Sequence, residues 1–315
     1  YGKSSNMFAK KILYIYDIKG WALHNVGLYW RELVKDRIDF AFAEFGQHFG
    51  YDPRNFDYIL FGCSFMAEKY QEKVRNFIFK RKFPLWNPKN NNHFITVVHD
   101  PCEVFPEKYN WKTLKPRRLK KIKTFKKIGV ISKEMKEIME SLGFETILIN
   151  TNSTLPLIKK HEIKLESLKV FSRGKNIKRK NLGLFHKIKY SCEKFCATFD
   201  GYFDDGILTL PDYIKIIDRY NCYICTSWQE GGPLPLMDAM RRGCVPITTP
   251  VGQTDQLIVN GRNGFICRTY EDFVEKIRLL SRSPNLLYDL RSNALNAIAE
   301  KRDSEIRRSL LTFLS

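Results

Sequence analysis

Short apolar runs separated by amphipathic stretches recur along this chain, and that alternation limits its fold more than any other feature. ILYIYD (12–17), IDFAFAEF (38–45), DYILFGC (57–63), FITVVHD (94–100), IGVIS (128–132) and TILIN (146–150) read as strands. Helical patterns stand between them at 25–36, 66–80 and 133–143. A second set follows with LKVFSRG (168–174), FCATFDG (195–201), YNCYICTS (220–227), CVPITT (244–249) and GFIC (264–267), with helices at 234–242 and 270–282. Strands that are apolar throughout and alternate with helices predict parallel sheets covered on both faces.

The chain has 315 residues, too many for one ordinary core, so two domains are expected. The turn formers and lysines of TNSTLPLIKKHEIK (151–164) break the rhythm and mark the boundary. The predicted fold class is α/β, with two Rossmann-like doubly wound domains facing a central cleft. The expected division is an acceptor-side domain at 1–155, a donor-binding domain at 156–300, and a C-terminal helix at 301–315 crossing back to the first domain. Ligands of such sheets bind at the carboxyl ends of the strands.

Lys and Arg number 53 against 34 Asp and Glu, a net charge of +19, which favours a polyanionic partner. KTLKPRRLKKIKTFKK (112–127) holds nine basic residues and no acid. There Leu119, Ile122 and Phe125 form an apolar stripe at helical spacing. Two readings stand: a helix lying on an anionic membrane, or a solvated basic helix. No apolar run is long enough to span a bilayer, and the first residues lack the order of a secretory signal, so a cytoplasmic location, peripheral to a membrane at most, is expected. The eight cysteines read as reduced and packed. Cys222 and Cys225, three apart on a strand, face opposite ways and suit neither zinc nor a redox pair.

The chemistry concentrates in TSWQEGGPLPLMDAMRRGCVPITTPVGQTDQLIVNGRNGF (226–265). Glu230 ends a strand; Gly231 and Gly232 free the turn, and Pro233 and Leu234 open a helix whose N-terminus suits an anion. Asp238 lies within the first turns of that helix. Together the two acids suit a polyhydroxylated ligand bearing a phosphate; the plain alternative is a loop acid and a helix-dipole acid.

The run S-x-x-E-G-x-P, then D-A-M-x-x-G-x-V-P-I, V-G and N-G-x-N-G-F, resembles the donor-binding signature of retaining nucleotide-sugar glycosyltransferases of the GT-B fold (glycosyltransferase family 4-like). The resemblance implies that Glu230 contacts donor sugar hydroxyls and Asp238 the nucleotide ribose. Asp238 stands where that family shows Glu, one methylene longer. In VFSRGKNIKRKN it implies that Arg173 and either Lys178 or Lys180 bind the donor diphosphate, fixed cations that neutralise charge on the leaving group. It also points to Gly20 for a backbone approach to the diphosphate, His99 for contact with the sugar or acceptor, and Thr254 near the donor.

The implied activity is transfer of a hexosyl or pentosyl group from a UDP- or GDP-linked donor, with no metal and no cofactor. No Asp-x-Asp motif occurs in the first lobe. The acceptor expected is a cell-envelope or lipid-linked glycan. The alternatives are a DNA-modifying glycosyltransferase acting on hydroxylated bases of nucleic acid, and a catalytically silent GT-B binding protein.

Overall fold

The computed structural model describes residues 10–20, 22–66, 93–104, 116–203 and 208–315. The helix expected at 66–80 falls almost wholly outside them, as do residues 112–115 of the basic segment.

The chain divides into two compact units, 1–151 with 305–315, and 152–304. Unit 1 contains β1 (Lys10–Tyr16), β2 (Ile38–Glu44), β3 (Tyr58–Phe61), β4 (Phe94–Val98), β5 (Lys127–Val130) and β6 (Ile147–Leu148). They form one sheet in the order β2-β1-β3-β4-β5-β6, and every pairing is parallel. The C-terminal helix Glu300–Leu314 ends in this unit, where the Lys127 ammonium donates to the Phe313 carbonyl at 3.1 Å and Arg307 pairs with Asp36 at 2.7 Å.

Unit 2 contains β7 (Lys169–Arg173), β8 (Thr198–Tyr202), β9 (Cys222–Cys225), β10 (Val245–Thr248) and β11 (Phe265–Ile266), in the order β11-β10-β9-β7-β8 and again all parallel. Strand β9 explains why its residues are apolar without a break. Cys222 and Ile224 enter the core on one face, Tyr223 and Cys225 the core on the other. Both faces are covered by helices, so every side chain is buried.

In unit 1 the order reverses direction between β1 and β3; in unit 2 it does so between β7 and β9. At such a point the connections leave in opposite directions and open a crevice beyond the strand ends. The two crevices are where chemistry-bearing loops would gather.

The apolar stripe of the basic segment has a different role from the membrane-facing one. Ile122 and Phe125 are buried and Leu119 packs beside them, all against the same core as Ile59, Phe61 and Val130. A membrane-lying helix and a core-packed helix need the same apolar face, and here the sheet occupies it.

Candidate functional site

Strand β7 ends at Arg173, and Gly174 follows it. A Cβ on Gly174 would meet the Lys180 side chain at 3.1 and 3.3 Å, so the glycine lets the lysine stem cross the strand end. Lys178–Lys180 form one 3₁₀ turn, and Asn181 closes it in the left-handed region at φ 50°, which asparagine tolerates better than most residues. The turn is tied to the end of β9. The Trp228 N–H donates to the Arg179 carbonyl at 2.8 Å, and the Thr226 hydroxyl to the Lys180 carbonyl at 3.0 Å.

This places Lys180 and Arg179 on Glu230. The Lys180 ammonium lies 2.5 Å from Oε1 and the Arg179 guanidinium 3.3 Å from Oε2, while the Ser227 hydroxyl donates to Oε1 at 2.6 Å. Burial by itself would raise the Glu230 carboxyl, but Lys180, then Arg179, outweigh it and hold the group below its ordinary range. Of the two lysines considered, Lys180 reaches the acid and Lys178 is exposed. Arg179 had no separate signal, since it sits in a run of lysines; Ser227 opens the S-x-x-E-G-x-P run but was given no role of its own.

The Gly231–Gly232 turn is held from behind. Gly252, at φ +56°, lies so close that a Cβ there would stand 2.1 Å from the Gly231 carbonyl oxygen, so only glycine fits. The helix Leu234–Arg241 follows, with Pro233 at its cap. Its first turn has no spare donors: Leu234 N–H bonds to Gly232, Leu236 and Met237 to Pro233, and Pro235 has none. The N–H groups of Gly231 and Gly232 donate to no described residue.

Asp238 is partly exposed and accepts from the Ser153 hydroxyl at 2.5 Å and the Tyr213 hydroxyl at 2.8 Å. Hydroxyl donors compensate burial less than cations do, and burial raises this carboxyl to about 6. The ring of Tyr213 also carries the Arg173 guanidinium, 4.8 Å from its centroid. The Arg173 backbone carbonyl accepts from the Tyr223 hydroxyl at 3.0 Å. Arg173, Lys180, Glu230, Gly231, Gly232 and Asp238 are thus linked through a short chain of contacts around the β7/β9 switch point.

The remaining candidates lie elsewhere or are occupied. The Thr254 hydroxyl is buried and accepts from the Val251 N–H at 2.9 Å, which closes its own loop. Gly20 adopts φ +82° in unit 1, but its N–H is taken by His24 Nδ1 at 3.1 Å. His99 follows β4, stacked on Trp30 at 6.3 Å, and burial pushes its imidazole down to about 4. It is neutral at pH 7. No group of three or more His, Cys, Asp or Glu that could hold a metal ion occurs among the described residues, and no helix there is long and apolar enough to cross a membrane.

Residues 207–297 match the family described as Glycosyl transferases group 1, a segment that contains Glu230, Gly231, Gly232, Pro233, Leu234, Asp238 and Thr254. No curated protein matches the chain in sequence. Among solved structures it is similar to Anabaena HepE in complex with UDP-glucose, at 14% identity and TM-score 0.66, covering 97% of this chain and 99% of that one. Sucrose-phosphate synthase from Thermosynechococcus elongatus is similar at 12% identity and TM-score 0.65, with 97% and 98% covered. The S. aureus TarM G117R mutant in complex with fondaparinux, alpha-GlcNAc-glycerol and UDP matches at 16% identity and TM-score 0.61, with 93% of this chain and 59% of that one covered. These likenesses establish the fold, two parallel-sheet Rossmann-like domains of the GT-B kind.

Proposed function

We propose that this chain, a group 1 glycosyltransferase of the GT-B fold, moves a sugar from a UDP- or GDP-linked donor to a hydroxyl acceptor with retention of anomeric configuration. The observation that carries the reading is the buried Glu230 carboxylate held by Lys180 and Arg179 at the β7/β9 switch point. A carboxylate has about four lone-pair sites. Three are used here, which leaves capacity for a sugar hydroxyl. Lys180 has three N–H donors and spends one on Glu230. The others, with Arg173 and the Gly231 and Gly232 N–H groups, suit a diphosphate.

In the transfer, the bond from the anomeric carbon to the diphosphate oxygen breaks, and the acceptor oxygen bonds to that carbon on the same face. The acceptor proton passes to the departing phosphate oxygen, and the cations neutralise the charge that grows there. Asp238, in its ionised form, accepts from a ribose hydroxyl alongside Ser153 and Tyr213. Thr254 acts by shaping the 251–254 loop. UDP-glucose is the first donor to try, because HepE is solved with it.

The net charge of +19 supports a polyanionic acceptor. The narrower reading of a lipid-linked glycan draws nothing from Leu119, Ile122 and Phe125, which are in the core. Co-sedimentation with anionic vesicles, run beside salt-dependent duplex DNA binding, separates a membrane-borne acceptor from nucleic acid.

The test is a melting-temperature panel of UDP, GDP and UDP-glucose, in which a ligand of the native state raises the transition. In Glu230→Gln, turnover is expected to fall on the order of a hundredfold with UDP binding kept; near-normal turnover rejects this role for Glu230. Turnover is expected to survive EDTA. Complete loss restored by Mn²⁺ would overturn the assignment of charge neutralisation to Arg173 and Lys180.

A further inference from the structure

The loops that follow β3 and β4 in unit 1 are joined by a side chain with no part in the reading above. Glu103 is buried two residues beyond Pro101. Its Oε2 accepts from the Ser64 backbone N–H at 2.8 Å and from the Ser64 hydroxyl. Its Oε1 accepts from the backbone N–H groups of His99 at 2.6 Å and Asp100 at 3.2 Å. Each oxygen serves one loop, and the four donors match the lone-pair capacity of an ionised carboxyl.

Between those two attachments sits the imidazole of His99. It packs on Trp30, one ring nitrogen bonds to the Gly62 backbone, and the buried Nε2 has no partner. Gly62 is itself fixed, since a Cβ there would meet the Tyr14 hydroxyl at 2.7 Å and the Ile15 carbonyl at 2.9 Å. With a ring N–H given to the Gly62 carbonyl, the neutral imidazole keeps its lone pair on Nε2, an acceptor for a hydroxyl.

We propose that Glu103 is a positioning residue: its carboxylate staples the loop after β3 to the loop after β4 and so fixes the orientation and tautomer of the His99 imidazole within unit 1. The consequence for turnover rests on the glycosyl-transfer reading; the staple itself does not. Glutamine at this position keeps the length but sets an amide NH₂ among N–H donors, so at least one loop is released.

The experiment uses the full chain with Glu103→Gln. Nitrogen–proton correlation spectra of the His99 ring, without ligand, report its tautomer and titration. In the natural chain a single tautomer that does not titrate between about pH 5 and 8 is expected, because burial disfavours the imidazolium by more than the Gly62 backbone bond and the Asp100 charge favour it. In the variant, mixed tautomers and a titration inside that range are expected. With UDP-glucose, kcat is expected to fall on the order of ten- to a hundredfold, since a displacement of about 1 Å can cost a hundredfold. UDP affinity by calorimetry is expected to stay the same.

An unchanged His99 spectrum overturns the staple, whatever happens to turnover. A changed spectrum with unchanged turnover keeps the staple and removes His99 from the transfer reading. If UDP-glucose is not turned over at all, the spectrum alone decides. Should Glu103→Gln fail to fold, Ser64→Ala removes one donor from Oε2 and carries the same comparison with a smaller change.

Discussion

Glu230 in unit 2 and Glu103 in unit 1 are buried alike, 5% and 7% exposed, and each lies just past the carboxyl end of a parallel strand. Their compensation differs. Glu230 is met by two cations and a hydroxyl, and its carboxyl is held low. Glu103 is met by three backbone N–H groups and a hydroxyl; burial prevails and its carboxyl is raised. Cations can be shared with an arriving anion, so the first arrangement can become a binding site. Backbone donors anchored in two loops cannot leave, so the second acts as a joint.

The sharpest way to break this contrast is Lys180→Ala. It strips the nearest cation from a buried carboxylate and is expected to destabilise unit 2 by about 3–5 kcal/mol. Ser64→Ala, which removes one neutral donor from Glu103, is expected to cost unit 1 about 1–2 kcal/mol. Equal drops in melting temperature would mean that charge compensation does not distinguish the two sites.

Asp238 offers a smaller and pH-dependent test. Its folded-state value of about 6 lies above the usual aspartate value, so the native state binds the extra proton between about pH 4 and 6. Stability from this group is therefore present at the acid end of that window and lost as pH rises through 6. Relative to Asp238→Asn, the natural chain is expected to lose up to about 3 kcal/mol across it, read as melting temperature against pH. UDP affinity should move the opposite way, strengthening above pH 6 as the ionised acid accepts the ribose hydroxyl. A flat affinity profile would separate Asp238 from the nucleotide. An effect comparable to that of Ser64→Ala is expected of Ser227→Ala, which removes one hydrogen bond from Glu230, about 1.5 kcal/mol in thermal unfolding.

Much of this was legible before the structure. The apolar alternation gave both sheets, and Glu230, the Gly-Gly-Pro turn and the helix from Leu234 were readable because each depends on neighbours in sequence. Lys178 and Lys180 could not be told apart, since a turn must be built before one of them points at the acid. Glu103 was invisible for a related reason: its partner Ser64 lies 39 residues earlier, and three of its four donors are backbone groups shared by nearly all residues. The basic segment stayed open between two readings because its pattern specifies an apolar face without saying what covers it.

The sequence by itself determined two parallel α/β sheets and a glycine-freed acid at a strand end, because strand periodicity and turn chemistry act over a few residues. Which cations meet Glu230, why Asp238 keeps its proton to about pH 6, and what Glu103 joins were decided only by tertiary structure. Electrostatic compensation depends on separation in space and on exclusion of water, and neither is set until distant segments pack together.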